Sequence, residues 1–222
     1  GEYMIRKIFF VFKVVVLFNL LISLISIRWA AIFICLFNLV LLFLSDLFQK
    51  KLKYSDFFQL LIYIFLVGSL VGGEVYNLYS VIWYYDIILH VLSSFIVSFI
   101  FFYIFKLFSG CINKILFFVC IFSFAMMIAG LWEITEFSID RVFDKDMQKD
   151  TVINEVNSML LSSDGNTIVK NNISGMSIGC IYIDGYLDIG LYDTIVDMIC
   201  ALFGSLIYLI LYRNKIKEAL VC

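Results

Sequence analysis

Three carboxylates, Glu133, Glu136 and Asp140, stand at i, i+3 and i+7 in the stretch AGLWEITEFSID, residues 129–140. In a helix that spacing lines them along one face. Two other stretches carry the same device. YDIILHVL (85–92) holds Asp86 and the only histidine of the chain, His90, at i and i+4. LYDTIVDMI (191–199) holds Asp193 and Asp197 at i and i+4. Each pattern sits at one end of an apolar run of membrane-crossing length. An ionisable side chain at mid-membrane costs about 2.5–3.5 kcal/mol, so it faces the protein interior and takes a partner.

Six carboxylates cannot all be charged in one pocket of low dielectric when the nearby protein cations by sequence are Arg141 and His90. Either several hold protons, or an inorganic cation neutralises them. Carboxylates with one imidazole suit a divalent ion: Mg, Mn, Fe, Ca or Zn. The oxygen-rich set favours the first four over a thiolate-type zinc site. The metal ligands expected are Asp86, His90, Glu133, Glu136, Asp140, Asp193 and Asp197. Such an ion would bind phosphate oxygens or activate a water, with Glu133, Glu136 or His90 as the group that moves a proton. The pattern is similar to the dimetal carboxylate sites of helical bundles, although the Glu-x-x-His pair of those sites is missing. Taken singly, the plainer readings are stronger. A lone membrane histidine is often a packing residue, here with Ser93 and Ser94 as neighbours. Asp86 and Asp193 suit helix N-termini through the helix dipole. The coincidence of three such helix ends is what favours a shared site.

What must position these residues is a membrane bundle. Of 222 residues, 63% are hydrophobic and only 15% charged, against about 25% charged in a soluble domain. A net charge of −2 offers no basic excess, which argues against nucleic acid as a partner. Spans are expected at about 8–27, 30–48, 57–73, 86–106, 115–138 and 191–212, each near the roughly 20 residues a bilayer requires. The fold class is therefore an all-α, six-helix transmembrane bundle in a single polytopic domain. The first run is expected to be a retained helix, not a cleaved signal, because a second run follows at once. Lys13 is expected to snorkel to the near interface. Gly68 and Gly72 form a small-xxx-small spacing that permits close helix contact. The Tyr- and Trp-rich segment 74–85 reads as an interfacial belt, and Asp46 and Asp56 read as solvated loop residues. The six cysteines, at 35, 111, 120, 180, 200 and 222, form no CxxC pair and read as small apolar residues.

Six spans put eleven Lys and Arg residues on the side of the termini and five on the other. The positive-inside rule then places both termini in the cytoplasm and the 139–190 loop outside. In this topology the fourth span starts, the fifth ends and the sixth starts at the outer face, so the three acidic helix ends share one depth. The loop is not expected to be wholly irregular. CIYIDGYLDI (180–189) alternates around Asp184-Gly185 like a hairpin. Asp164-Gly165 suggests a second turn between 159–161 and 167–169.

The order of these motifs also carries a resemblance. Asp86…His90, then WEITEFSID, then DKDMQKD (144–150), then GLYDTIVDMICALFGSL, resembles the YjdF-like family of bacterial inner-membrane proteins over roughly 57–212. The resemblance implies a bacterial plasma-membrane location and the grouping of Glu133, Glu136, Asp193 and Asp197. It supplies no reaction. It also marks about 40 residues before Asp193 as a local insertion.

Three functions are compatible with these residues. One is a metal-dependent enzyme acting on a lipid-linked or phosphate-bearing substrate at the outer leaflet, with membrane lipids around it. Another is an ion or proton-coupled transporter, disfavoured by a cluster lying at one face and by the lack of an inverted repeat. The third is a non-enzymatic accessory or sensor protein whose outer loop meets a partner.

Overall fold

The computed structural model describes residues 2–108 and 113–219. Cys111 and Cys222 lie outside the described residues, as does the middle of the basic turn, 109–112. The helices are α1 (Glu2–Ile25), α2 (Trp29–Leu52), α3 (Asp56–Leu66), a short α4 (Leu78–Val81), α5 (Tyr85–Phe108), α6 (Lys114–Phe143) and α7 (Leu191–Ala219). α3 continues as a π-helix over Val67–Val75. Six helical segments are long and apolar enough to cross a membrane: Met4–Ile25, Trp29–Leu52, Asp56–Val75, Tyr85–Leu107, Ile115–Phe143 and Leu191–Asn214. The expected six spans are present with shifted ends. The largest shift extends α6 to Phe143, which brings Glu133, Glu136 and Asp140 into one continuous helix.

The chain divides into two compact units, 1–129 with 199–222, and 130–198. In the first, one apolar cluster joins Phe58 and Ile62 of α3, Ile96 and Phe99 of α5, Phe117 and Ile121 of α6, and Tyr208 of α7. A second joins Val16 of α1, Cys35 and Leu42 of α2, Tyr63 of α3, and Val71 and Val75 of the π-helix. α7 meets α5 backbone to backbone at Gly204, where any Cβ would stand 2.2 Å from the Val91 carbonyl oxygen. This is the small-residue contact that lets membrane helices approach closely. Gly68 and Gly72 serve the same end. The Tyr85 hydroxyl donates to the Gly68 carbonyl at 2.8 Å, and a Cβ on Gly72 would lie 2.4 Å from that hydroxyl. Tyr76 likewise donates to Asn19 Oδ1 at 2.6 Å. The tyrosine belt therefore also fastens helices.

Three expectations are corrected in this unit. Asp46 lies within α2, not in a solvated loop. Its Oδ2 is 2.5 Å from Lys13 Nζ, and its Oδ1 accepts from Gln59 Nε2 at 3.0 Å and from the Tyr63 hydroxyl at 2.8 Å. Lys13 therefore reaches a carboxylate rather than simply the interface. Asp56, the first residue of α3, accepts from Gln49 Nε2 at 2.8 Å. Gln59 and Tyr63 are fully buried. A carboxylate on a membrane helix is retained here because each oxygen has a donor and the charge has a counterion.

The second unit holds the C-terminal part of α6, six short strands and the start of α7. β1 (Thr151–Ile153) pairs antiparallel with β6 (Tyr186–Asp188). β2 (Glu155–Ser158) pairs with β3 (Val169–Asn172). β4 (Met176–Ile178) pairs with β5 (Ile181–Ile183). The expected hairpin about Asp184-Gly185 is not formed. The turn of the third ladder falls at Gly179 and Cys180, with Gly179 at φ +59, while Asp184-Gly185 is a bend between strands of two different ladders. A local turn signal lost here to pairing between residues far apart in sequence. Asp164-Gly165 does lie in the connection between paired strands, but those strands are 155–158 and 169–172. The residues 159–161 form a 3-10 turn instead of a strand. No disulfide is present among the described residues; Cys35 and Cys200 are buried and Cys180 is exposed.

Candidate functional site

In the second unit, α6 and α7 bring three carboxylates together. Glu133 and Glu136 lie one turn apart on α6 and Asp197 lies two turns into α7. One oxygen from each falls within 4.8 Å of the others. All three side chains are buried, Asp197 most completely at 2% exposure. At about 4 Å, two like charges repel by roughly 4 kcal/mol at an effective dielectric of 20. Three ionised groups at this spacing therefore require a cation or shared protons. Arg141 is not used for that purpose. Its guanidinium lies over the Phe137 ring at 5.4 Å, and it makes no ion pair among the described residues. Trp132 helps to hold the group, its indole Nε1–H donating to Glu136 Oε1 at 2.7 Å. The four-residue step from Trp132 to Glu136 was a readable signal for this bond.

Asp140 and Asp193, both expected as ligands, stand outside this group of three and have another task. Asp140 accepts the backbone N–H of Met147 at 2.7 Å on Oδ1 and of Gln148 at 3.0 Å on Oδ2. Asp193 Oδ2 accepts the N–H of Lys149 at 2.9 Å. Three consecutive amides are thus held by acids from two helices. Gln148 is buried and donates through Nε2 to Thr194 Oγ1 at 2.7 Å. Gly190, at φ +120, makes room for it; a Cβ there would stand 2.7 Å from Gln148 Cβ. The DKDMQKD stretch therefore folds back as a strap tied to the end of α6 and the start of α7. Thr194 and Gly190 were not foreseen, because their roles exist only through Gln148.

Outside the spans, burial and the neighbouring Asp146, Asp188 and Asp140 push the Asp150 carboxyl above its ordinary range. Asp164 is held below that range. Bonds from the Ser162 and Thr167 hydroxyls and from the backbone N–H groups of Asn166 and Thr167 stabilise its anion.

In the first unit, Asp86 and His90 occupy the first two turns of α5, both buried. Asp86 Oδ1 lies 3.4 Å from His90 Nε2. The expected serine neighbours behave differently from each other. Ser93 Oγ donates to the His90 carbonyl at 2.9 Å. Ser94 Oγ is buried without a hydrogen-bond partner among the described residues. Buried carboxylate and imidazole groups of this kind can bind a metal ion.

A family model described as "Predicted membrane protein (DUF2238)" matches residues 5–217. The chain belongs to that family of multi-pass membrane proteins, which accords with the resemblance to YjdF-like proteins. No curated protein and no solved structure matches it.

Proposed function

For this member of the DUF2238 family, we propose a divalent-cation site built on Glu133, Glu136 and Asp197, serving a metal-dependent reaction. The observation that carries the reading is the approach of three buried carboxylates within 4.8 Å. Asp140 and Asp193 serve as positioning residues that hold the 147–149 strap.

The ion would bind phosphate oxygens of a lipid-linked or other phosphate-bearing substrate and activate water. Glu136, oriented by Trp132, would accept a proton. Lys and Arg asymmetry supports a plasma-membrane orientation with cytoplasmic termini and the 139–190 segment outside.

The test is metal content by mass spectrometry on detergent-purified protein, exchanged into chelator-free buffer. One or two divalent ions per chain are expected, lost in Glu133→Ala. Absence of metal from folded wild type would remove the metal-dependent reading in favour of shared protons.

A further inference from the structure

The first unit carries a concavity on α1 that the acids of α6 and α7 do not use. A groove of about 320 Å³ is lined by Met4, Ile8, Val11, Phe12 and Val15 of α1 and by Val67, the first residue of the π-helix. Lys7 lines it near the start of α1. The α1 residues recur at steps of three and four, so they form one stripe of the helix. Met4, Val11 and Val15 are exposed along it.

The wall of the groove is fixed by the fold. Phe12 meets the Tyr63 ring edge-on at 5.8 Å, and Phe9 packs on the same ring at 4.9 Å. Tyr63 is fully buried and donates to Asp46, so the wall is tied to the polar cluster of α2. The inner end is fixed as well. Asn19 and Ser23, one and two turns beyond Val15, are buried, and Asn19 accepts from the Tyr76 hydroxyl at 2.6 Å. The stripe is therefore covered by protein from Asn19 onward and open before it.

Length and charge identify the occupant. The apolar span of α1 begins at Met4. From Met4 to Val15 the stripe covers about 16 Å at 1.5 Å per residue, close to half of a hydrocarbon core of about 30 Å. A groove that starts at the membrane boundary and stops at mid-depth has the length of one acyl chain and is too short for a second helix that crosses the bilayer. Its mouth is basic. Lys13 is turned inward to Asp46, whereas Arg6 and Lys7 are exposed. Lysine and arginine at this depth lay their stems on apolar surface and carry their charge to the headgroups. Basic residues beside a span attract anionic lipids.

We propose that this groove is a binding site for one anionic phospholipid, with an acyl chain lying along residues 4–15 against Val67 and the phosphate held by Arg6 and Lys7. The apolar lining supplies affinity without discriminating between headgroups, and the two cations supply the choice of an anionic one. The site lies wholly in the first unit and does not depend on the metal reading. Because it binds the folded protein, the lipid should also raise the unfolding temperature.

The experiment is native mass spectrometry of the full-length protein, stripped of lipid in detergent and titrated with dioleoylphosphatidylglycerol or dioleoylphosphatidylcholine. The two lipids share their acyl chains and differ in headgroup charge. Wild type is expected to take up one phosphatidylglycerol per chain, at least tenfold more tightly than phosphatidylcholine. Val11→Trp, which fills the groove from an exposed position, is expected to weaken phosphatidylglycerol binding at least tenfold. Phe43→Trp, at an exposed position on α2, is expected to leave it unchanged. Arg6→Gln combined with Lys7→Gln is expected to bring phosphatidylglycerol down to the level of phosphatidylcholine. Thermal unfolding in detergent checks that each variant is folded. Equal binding of the two lipids by wild type overturns the proposal, as does undiminished phosphatidylglycerol binding in folded Val11→Trp. A lipid-free dimer that Val11→Trp converts to monomer assigns the groove to a second copy of the chain and overturns it as well.

Discussion

The acids at 133, 136 and 197 and the cluster around Asp46 are both polar groups on helices of membrane-crossing length, and they are built on opposite principles. Around Asp46, charge is matched within the chain: one lysine, one amide and one phenol serve the two oxygens of a single carboxylate. At Glu133, Glu136 and Asp197, three acceptors of one sign are gathered into a small volume, while the arginine nearest in sequence is turned onto a phenylalanine ring. The first arrangement gains stability from being complete. The second concentrates like charge, which is why a cation is proposed there.

That contrast can be broken by paired substitutions. Asp46→Ala should cost about 2–3 kcal/mol, because it strands a lysine, an amide and a phenol, and should leave metal content unchanged. Glu133→Gln should do the reverse: metal is lost, and the metal-free protein is as stable as wild type or more stable, because a like-charge repulsion is gone. Thermal unfolding in detergent, read beside metal content, decides between them. If Glu133→Gln destabilised the metal-free protein as much as Asp46→Ala does, the acids would be a structural network like the other.

A smaller effect should follow from Gly190→Ala. The positive φ and the 2.7 Å approach to Gln148 predict a loss of about 1–3 kcal/mol. Freeing of the 147–149 strap should appear as faster amide exchange at those residues, with the Asp46 cluster undisturbed.

The smallest effect concerns pH, and its sign differs between two acids outside the spans. Asp164 has a folded-state pKa below the unfolded one, so its contribution is present above the ordinary aspartate range and is lost as pH falls through the folded value. Asp150 is raised, so its contribution is present below the ordinary range and is lost as pH rises through the folded value. Asp164→Asn should therefore weaken the 159–168 connection at neutral pH, and Asp150→Asn should tighten its surroundings there. Proteolysis of the 144–190 segment at pH 7 is the measurement.

The comparison also shows what could be read in advance. Hydropathy located all six spans, because a helix that crosses lipid must be predominantly apolar over about 20 residues. Spacing located Glu133, Glu136 and Asp197, because a helical face is a local property. Asp46 was misread because its partners, Lys13, Gln59 and Tyr63, come from two other helices and nothing local announces them. Asp140 and Asp193 have the spacing of ligands, yet they bind amides of a strap whose path is set by Gln148, Thr194 and Gly190. The strand pairing failed for a similar reason. Asp184-Gly185 has the composition of a tight turn, but Tyr186–Asp188 finds its partner at Thr151–Ile153, more than thirty residues back.

That last pairing has a consequence for how such a chain can change length. Thr151 faces Asp188 and Ile153 faces Tyr186 across one ladder, so the segment leaves and returns through a closed neck. Everything between residues 154 and 185 is then a cassette whose two ends are already neighbours, and adding to it or trimming it costs the surrounding chain little beyond loop closure. A segment anchored in this way can change in length without disturbing the acids on α6 and α7. For the same reason the neck is the place to graft a reporter or an affinity tag.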